Sequence, residues 1–131
     1  MIKPVIQALV QVHRQGLIHR DISPENLMVG IDNQLHLIDF GAASIENGHD
    51  DKTMTVILKS GYEQYLSDGK QGAWTDIYAL CATMYMTLTG FAPPESIRRI
   101  QQDELPALAE HADIPSWQAA AIEKGMNLTA A

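Results

Sequence analysis

Two short polar segments carry the side chains of this sequence that could do chemistry. One is His-Arg-Asp at 19–21, followed five positions after Asp21 by Asn26, and the other is Asp-Phe-Gly at 39–41. A carboxylate can accept a proton, and carboxylate and amide oxygens are hard ligands that suit a hard cation. Singly, each has an ordinary explanation, because a loop Asp is usually a turn former and an Asn can cap a strand. The order and spacing of the two segments point to a shared site.

Short apolar strands are predicted on both sides of these segments. Leu17 and Ile18 lead into the first polar loop, and residues 27–29 form a second strand after it. Residues 30–33 are predicted to form a turn, and a third strand over 35–38 ends immediately before Asp39. The first polar segment therefore follows the first predicted strand, and the second polar segment follows the third.

Helical periodicity dominates the rest of the chain. It predicts a first helix from Ile2 to His13 and a helix from Thr75 to Leu88 that is apolar nearly all round and therefore central. Amphipathic helices are expected over Pro94 to Gln102 and Ser116 to Lys124. Residues Ala42 to Gly72 lack sustained periodicity and are predicted to form a long functional loop. The expected fold is mainly α with short β-strands, in the α+β class.

Composition narrows the function classes. The 131 residues suit one domain, and nine basic against sixteen acidic side chains give a charge of -7, which argues against nucleic-acid and anionic-membrane partners. The single cysteine, Cys81, lies in an apolar run where a buried thiol is expected rather than a disulfide or a metal ligand. With no apolar stretch of about 18 residues, a cytoplasmic location without a membrane segment is predicted.

The two segments, in this order and strand context, resemble the H-R-D-x-x-x-x-N catalytic loop and the D-F-G motif of serine/threonine protein kinases. Residues 61–65 and 71–78 are similar to bacterial members of that family. The resemblance extends from Ile2 to about Leu128. It implies a protein-kinase-like C-terminal lobe, with 1–131 as a partial kinase domain whose N-terminal lobe is absent.

The resemblance implies specific roles for four residues. Asp21 would orient the substrate hydroxyl and accept its proton, while Asn26 and Asp39 would bind Mg²⁺ against the phosphates of ATP. Met28 matches the position that forms the floor beneath the adenine ring, although a strand Met is usually core. The implied reaction is transfer of the ATP γ-phosphate to a protein Ser or Thr.

Other matching positions are implied to be supporting ones. In the family, His19 and Phe40 serve as architecture, and Asp76 anchors the backbone of the catalytic loop. An Asp favoured by the dipole of a helix N-terminus is an alternative account of Asp76. Thr53 and Thr55 are candidate phosphate acceptors, and a plain surface loop is the alternative.

Three departures from the family pattern limit what can be transferred. No glycine-rich loop or strand lysine precedes the catalytic loop, so a separately encoded N-terminal lobe is an expected partner. Ser23 stands where many members have Lys, and Lys59 stands where they commonly have Thr; we hypothesise that Lys59 is catalytic and reaches the transferred phosphate, against a solvent-exposed lysine. Glu63 follows Tyr62 directly, as though about three residues were deleted from the family motif.

Two other function classes remain open from the sequence. One is a non-catalytic kinase-like binding module, or a truncated or split-gene product. The intact trio of Asp21, Asn26 and Asp39 argues against a kinase that lost its activity long ago. The other is a small-molecule phosphotransferase such as the aminoglycoside kinases, which share an Asp with an Asn five residues later. Arg20 and Phe40 favour the protein kinases.

Overall fold

The computed structural model describes residues 2–39, 44–45 and 72–128, with the backbone alone described at 44–45. Helices and short strands succeed one another along these residues. In chain order they are α1 (Lys3–Arg14), β1 (Leu17–Ile18), a 3-10 turn (Pro24–Asn26), β2 (Leu27–Val29), β3 (Leu35–Leu37), β4 (Ser44–Ile45), α2 (Ala73–Thr89), α3 (Ser96–Gln101), α4 (Leu108–His111) and α5 (Ser116–Gly125).

Helix α1 forms where the periodicity predicted it, shifted by one residue at each end. Pro4 lies in the first turn, where a missing N–H removes no helical hydrogen bond. Val5 and Leu9 are buried on one face, and Gly16 ends the segment with a φ of 71°, a conformation that costs glycine little. The helix therefore runs directly into β1 and the polar loop.

The strands form two antiparallel pairs. β2 pairs with β3 so that Leu27 faces Leu37 and Met28 faces His36, which confirms the predicted strands and turn. Leu27, Leu35 and Leu37 pack towards α1 and α2, so Met28 and His36 lie on the opposite face of the hairpin. β1 pairs with β4, which lies in the segment predicted to be entirely loop. That prediction was wrong at 44–45, because a two-residue strand is defined by its distant partner.

Helix α2 is the centre of the described fold. Its first turn is capped by the Gly72 N–H, which donates to the Thr75 hydroxyl at 3.2 Å, and Gly90 with a φ of 82° ends it. Tyr78, Ala82 and Tyr85 pack against α4 and α5, while Ala79 and Leu80 pack against α1. The prediction of a central helix is confirmed, and α2 separates two apolar clusters.

The C-terminal segment differs in detail from the prediction. Three helices are present where two were expected, because α4 is a single turn of four residues between prolines. Helix α3 begins at Ser96 rather than Pro94 and ends one residue early, whereas α5 begins at the expected Ser116 and ends one residue later than predicted. Leu108 of α4 is fully buried, so this short helix closes the cluster that α2 and α5 form.

Candidate active site

The loop between β1 and β2 is fixed by its own hydrogen bonds. The Asn26 side-chain N–H donates to the main-chain oxygen of Asp21 at 2.7 Å, and Asn26 is 7% exposed. This bond uses the nitrogen of the amide, so the Asn26 side-chain oxygen is the atom that can bind a cation. Ser23, buried at the start of the 3-10 turn, keeps the loop close to the protein.

Asp39 is placed next to this loop by a strand contact. The Ile38 N–H donates to the Asn26 carbonyl at 2.9 Å, so Ile38, the residue before Asp39, lies opposite Asn26 in the antiparallel pair. Asp39 is exposed and has a φ of 59°, in the left-handed region that Asp tolerates better than most residues. Asp39 thus lies one residue beyond a direct backbone contact with Asn26.

This pair of residues fits a magnesium ion. Among the described residues, no group of three or more His, Cys, Asp or Glu side chains could hold a metal. Mg²⁺ commonly binds to one or two protein oxygens and completes its octahedron with water and substrate phosphates. An amide oxygen freed by the Asn26 hydrogen bond and the exposed Asp39 carboxylate are therefore suitable donors.

The His19 side chain lies inside the loop and not at its surface. It is fully buried, and its Nδ1 accepts a hydrogen bond from the Asp21 N–H at 3.1 Å, which requires Nδ1 to carry no proton. Burial lowers the pKa of His19 below its ordinary value of 6.5 and outweighs the Asp76 carboxylate, which acts in the opposite direction. The hydrogen bond agrees with the architectural role implied for His19.

Asp76, in the first turn of α2, binds the backbone of the same loop. One carboxylate oxygen accepts from the His19 N–H at 2.8 Å and the other from the Arg20 N–H at 2.9 Å. Arg20 has a φ of 71°, which is strained for a residue with a long side chain. The anchoring role implied for Asp76 is confirmed, and its two hydrogen bonds hold the backbone on either side of that strained position.

His13 was missed by the sequence reasoning. Its Nε2 lies 2.7 Å from the Asp76 carboxylate, and its side chain is 17% exposed while that of Asp76 is fully buried. The signal was present, since His13 follows Leu9 by four residues on the buried stripe of α1. Helix α1 therefore contributes to the catalytic loop through Asp76.

Met28 lies on the outward face of the β2–β3 hairpin and is 55% exposed. Its cross-strand neighbour His36 has its Nε2 at 3.0 Å from Asp32, in the turn of the hairpin. A Met in the core would be buried. Met28 is not buried within the described part of the chain, so the alternative that it is a core residue is not supported there. Its role beneath an adenine ring stays a prediction.

Several predicted residues lie outside the described part of the chain. They are the proposed catalytic lysine, the aromatic residue and glycine of the second motif, the two candidate phosphate acceptors and the glutamate near the predicted deletion: Lys59, Phe40, Gly41, Thr53, Thr55 and Glu63. Their assignments stay predictions. Within the described residues, no helix combines the length and hydropathy needed to cross a membrane.

Curated relatives are kinases. Serine/threonine-protein kinase PknL of Mycobacterium tuberculosis is 35% identical over 98 residues, which is 71% of this chain and 24% of the relative. Serine/threonine-protein kinase PknB of the same species is 33% identical over 124 residues, 85% of this chain and 20% of the relative. The human hormonally up-regulated neu tumor-associated kinase is 34% identical over 109 residues, 77% of this chain and 15% of the relative. The chain thus spans 24% or less of these relatives.

A solved structure has the same fold. The structure titled PpkA-294 apo form superposes with a TM-score of 0.81 at 29% identity, covering 98% of this chain and 47% of that chain. The sequence model of the protein kinase domain matches residues 1–125, which include both polar motifs and all five described helices. With this match over nearly the whole chain, the protein belongs to the protein kinase domain family.

Proposed function

We propose that this chain forms the C-terminal-lobe part of a serine/threonine protein kinase active site. The reaction would move the γ-phosphate of ATP to a Ser or Thr hydroxyl of a protein substrate. The observation that supports it best is the loop held by Asp76, in which Asn26 is bonded to Asp21 and β3 leads to Asp39 beside it. Serine/threonine kinases among the relatives agree with this reaction.

Each residue then has a defined task. Asp21 orients the substrate hydroxyl and takes its proton at the side-chain carboxylate. The Asn26 amide oxygen and the Asp39 carboxylate hold Mg²⁺, which when bound neutralises negative charge on the phosphates. The exposed face of Met28 carries the adenine ring. His19 and Asp76 keep the loop in this conformation without contacting substrate.

The remaining ATP contacts come from residues outside these 131, in a longer polypeptide or a separately encoded N-terminal lobe. Exposed apolar side chains on the hairpin support a covering element, because Met28 and Val29 are each 55% exposed and Ile31 is wholly exposed. Large exposed apolar groups commonly mark surfaces that another element covers. The cytoplasmic location expected from the sequence stays a prediction.

A chimaera tests the phosphotransfer proposal. The N-terminal lobe of PknB would be fused ahead of this chain, and radiolabelled phosphate transfer from ATP to a Ser-containing protein would be measured with and without Mg²⁺. We expect Mg²⁺-dependent transfer that falls at least about a hundredfold in Asp21→Asn and in Asp39→Asn. The matched control, Asp113→Asn, removes an exposed carboxylate from the link between α4 and α5 and should retain full activity.

Two results would contradict the proposal. Transfer that survives in both Asp21→Asn and Asp39→Asn would show that the phosphate comes from another site or a contaminant. A folded chimaera that binds Mg²⁺–ATP and transfers nothing would indicate a binding module. The separate proposal for Lys59 is tested by Lys59→Ala in the same chimaera, with Lys52→Ala as its control, and equal activity in the two variants would remove it.

A further inference from the structure

The outward face of the β2–β3 hairpin carries a second large side chain beside Met28. His36 lies directly opposite Met28 in the antiparallel pair. Residues that oppose each other share a face of the sheet, with Cβ atoms about 4.5–5.5 Å apart. The hairpin leucines pack on the other face, towards α1 and α2. Met28 and His36 therefore form one surface, two residues along β2 from Asn26, whose carbonyl accepts the Ile38 N–H at 2.9 Å.

Both side chains of this surface are open to a ligand. Met28 is 55% exposed, and the His36 side chain is 50% exposed. A polarisable thioether packs well against an aromatic ring system, and an aromatic side chain can stack on any nucleic-acid base. The pair therefore offers a platform of a chemistry that suits a flat heterocycle.

The His36 ring is held in place by Asp32. Its Nε2 lies 3.1 Å and 3.0 Å from the two oxygens of the Asp32 carboxylate. One of these oxygens also accepts from the Gln34 N–H at 3.0 Å, so the carboxylate is tied to the turn of the hairpin. The hydrogen bond from His36 lowers the pKa of Asp32 below its ordinary value of 3.8, which keeps the carboxylate charged. The ring is therefore oriented before a ligand arrives.

Gly30 provides the space that this contact needs. A methyl group at Gly30 would lie 2.7 Å from the Asp32 Oδ1 and 2.8 Å from the His36 Nε2, closer than unbonded atoms approach. Both atoms are at the ends of side chains, so a larger residue would displace the carboxylate and the ring rather than the backbone. Gly30→Ala thus moves His36 without changing its chemistry.

We propose that His36 is a nucleoside-binding residue, whose imidazole ring extends the surface on which Met28 carries the adenine of ATP. This inference rests on the proposed function, in which Asn26 and Asp39 hold the metal at the phosphates and Met28 carries the base. Among the residues that the structure describes, β3 is the strand that borders β2, so the surface continues from Met28 towards His36. A purine consists of two fused rings, and a base that rests on Met28 reaches the neighbouring strand at this position.

The test compares a ligand that has phosphates with one that has none. Calorimetry on the PknB chimaera would measure the affinities of Mg²⁺–ATP and of adenosine. We expect His36→Ala to weaken both ligands by at least about fivefold, because a stacked ring contributes through the base alone. Gly30→Ala should weaken adenosine in the same direction by displacing the ring. Asp39→Asn should weaken Mg²⁺–ATP and leave adenosine unchanged.

A matched control and the outcomes assign the effect. His111→Ala removes an exposed imidazole from α4 and should change neither affinity, and circular dichroism would confirm that each variant is folded. The proposal is overturned if His36→Ala or Gly30→Ala binds adenosine as tightly as the unaltered chimaera. It is also overturned if His36→Ala weakens Mg²⁺–ATP alone, or if His111→Ala reproduces the loss.

The same chimaera separates this proposal from the proposed function. Phosphate transfer that persists while His36→Ala retains full affinity for adenosine would overturn the role of His36 and leave the phosphotransfer proposal standing. Adenosine binding that depends on His36 in a chimaera that transfers no phosphate would support the role of His36 and remove phosphotransfer. A folded chimaera that binds neither ligand would overturn both.

Discussion

Two buried charged residues hold the two sides of helix α2, and they do so in different ways. Asp76 lies in the first turn of α2, is 1% exposed, and accepts hydrogen bonds from two backbone N–H groups of the catalytic loop. Arg99 lies on α3, is 5% exposed, and donates to the side chain of Tyr78 and to the Met126 carbonyl. Both charges are satisfied, as buried charges must be.

The difference lies in the backbone that each charge supports. Asp76 holds a loop in which Arg20 has a φ of 71°, whereas the main-chain partner of Arg99 is an ordinary carbonyl after α5. Strained non-glycine backbone persists where surrounding contacts determine it, and such positions gather at functional sites. The comparison teaches that the α1 side of α2 is organised around a strained loop, while the α5 side is organised around helix packing.

Replacement of Asp76 is the strongest way to test this comparison. Asp76→Ala leaves the buried N–H of His19 and of Arg20 without acceptors, so we expect a loss of about 3–5 kcal/mol in the free energy of unfolding. Urea denaturation followed by circular dichroism measures it. Asp113→Ala, which removes an exposed carboxylate from the link between α4 and α5, is the control and should cost far less. An equal loss in the two variants would contradict the role of Asp76.

Replacement of Arg99 should destabilise the other side of α2. Arg99→Met keeps much of the volume but leaves the Tyr78 hydroxyl and the Met126 carbonyl without their donor, and we expect a loss of about 2–4 kcal/mol. Burial raises the pKa of Tyr78 above its ordinary value of 10.0, so the phenol stays neutral. Mg²⁺–ATP binding by the PknB chimaera, measured by calorimetry, should be unchanged. Loss of that binding in a folded Arg99→Met chimaera would contradict the claim that the two sides of α2 are independent.

His13 sharpens the comparison on the loop side. His13→Ala removes one of the partners of the Asp76 carboxylate while both backbone hydrogen bonds remain, so we expect a loss of about 1–2 kcal/mol in the free energy of unfolding. His13→Gln retains a side-chain N–H and should recover part of it. Thermal and urea unfolding of both variants measure this order. If Gln and Ala were equally damaging, the effect of His13 would be packing rather than the contact with Asp76.

The smallest predicted effect is a pH dependence that comes from His19. Its pKa is lowered in the folded chain by burial, so it contributes stability above pH 6.5 that is lost as the pH falls through the folded value. We expect the unfolding free energy to drop as the pH falls below about 6.5, and His19→Asn, which keeps an acceptor for the Asp21 N–H, to flatten part of that slope. An identical slope in His19→Asn would assign the dependence to other groups.

Local pattern predicted much of this fold. Helices α1 and α2 and the β2–β3 hairpin lie within two residues of their expected ranges, because each has a clear apolar period and a glycine or turn at its end. The elements that escaped, β4 and α4, are two and four residues long. Elements of two to four residues are too short to show a hydrophobic period, and their tertiary partners determine where they form.

The contacts that hold the site could not be predicted in the same way. His13 lies 63 residues from Asp76 along the chain, and Arg99 lies 21 residues from Tyr78 and 27 from Met126. Periodicity locates a buried stripe but does not say which distant group meets it. Cys81 was expected to be buried and is partly buried against the cluster of α2, α4 and α5, where burial raises the pKa of its thiol to about 11. The Asp76 contact was foreseen only through resemblance to a family.

Amide hydrogen exchange at His19 and Arg20 tests most directly the claim that Asp76 holds the catalytic loop. It would be followed residue by residue in the unaltered chain, Asp76→Asn and Arg99→Met, under conditions where all three are folded. We predict that Asp76→Asn removes protection from these two amides well beyond its effect on α5, and that Arg99→Met leaves them protected while α3 exchanges faster. Unchanged protection at His19 and Arg20 in Asp76→Asn would contradict the account.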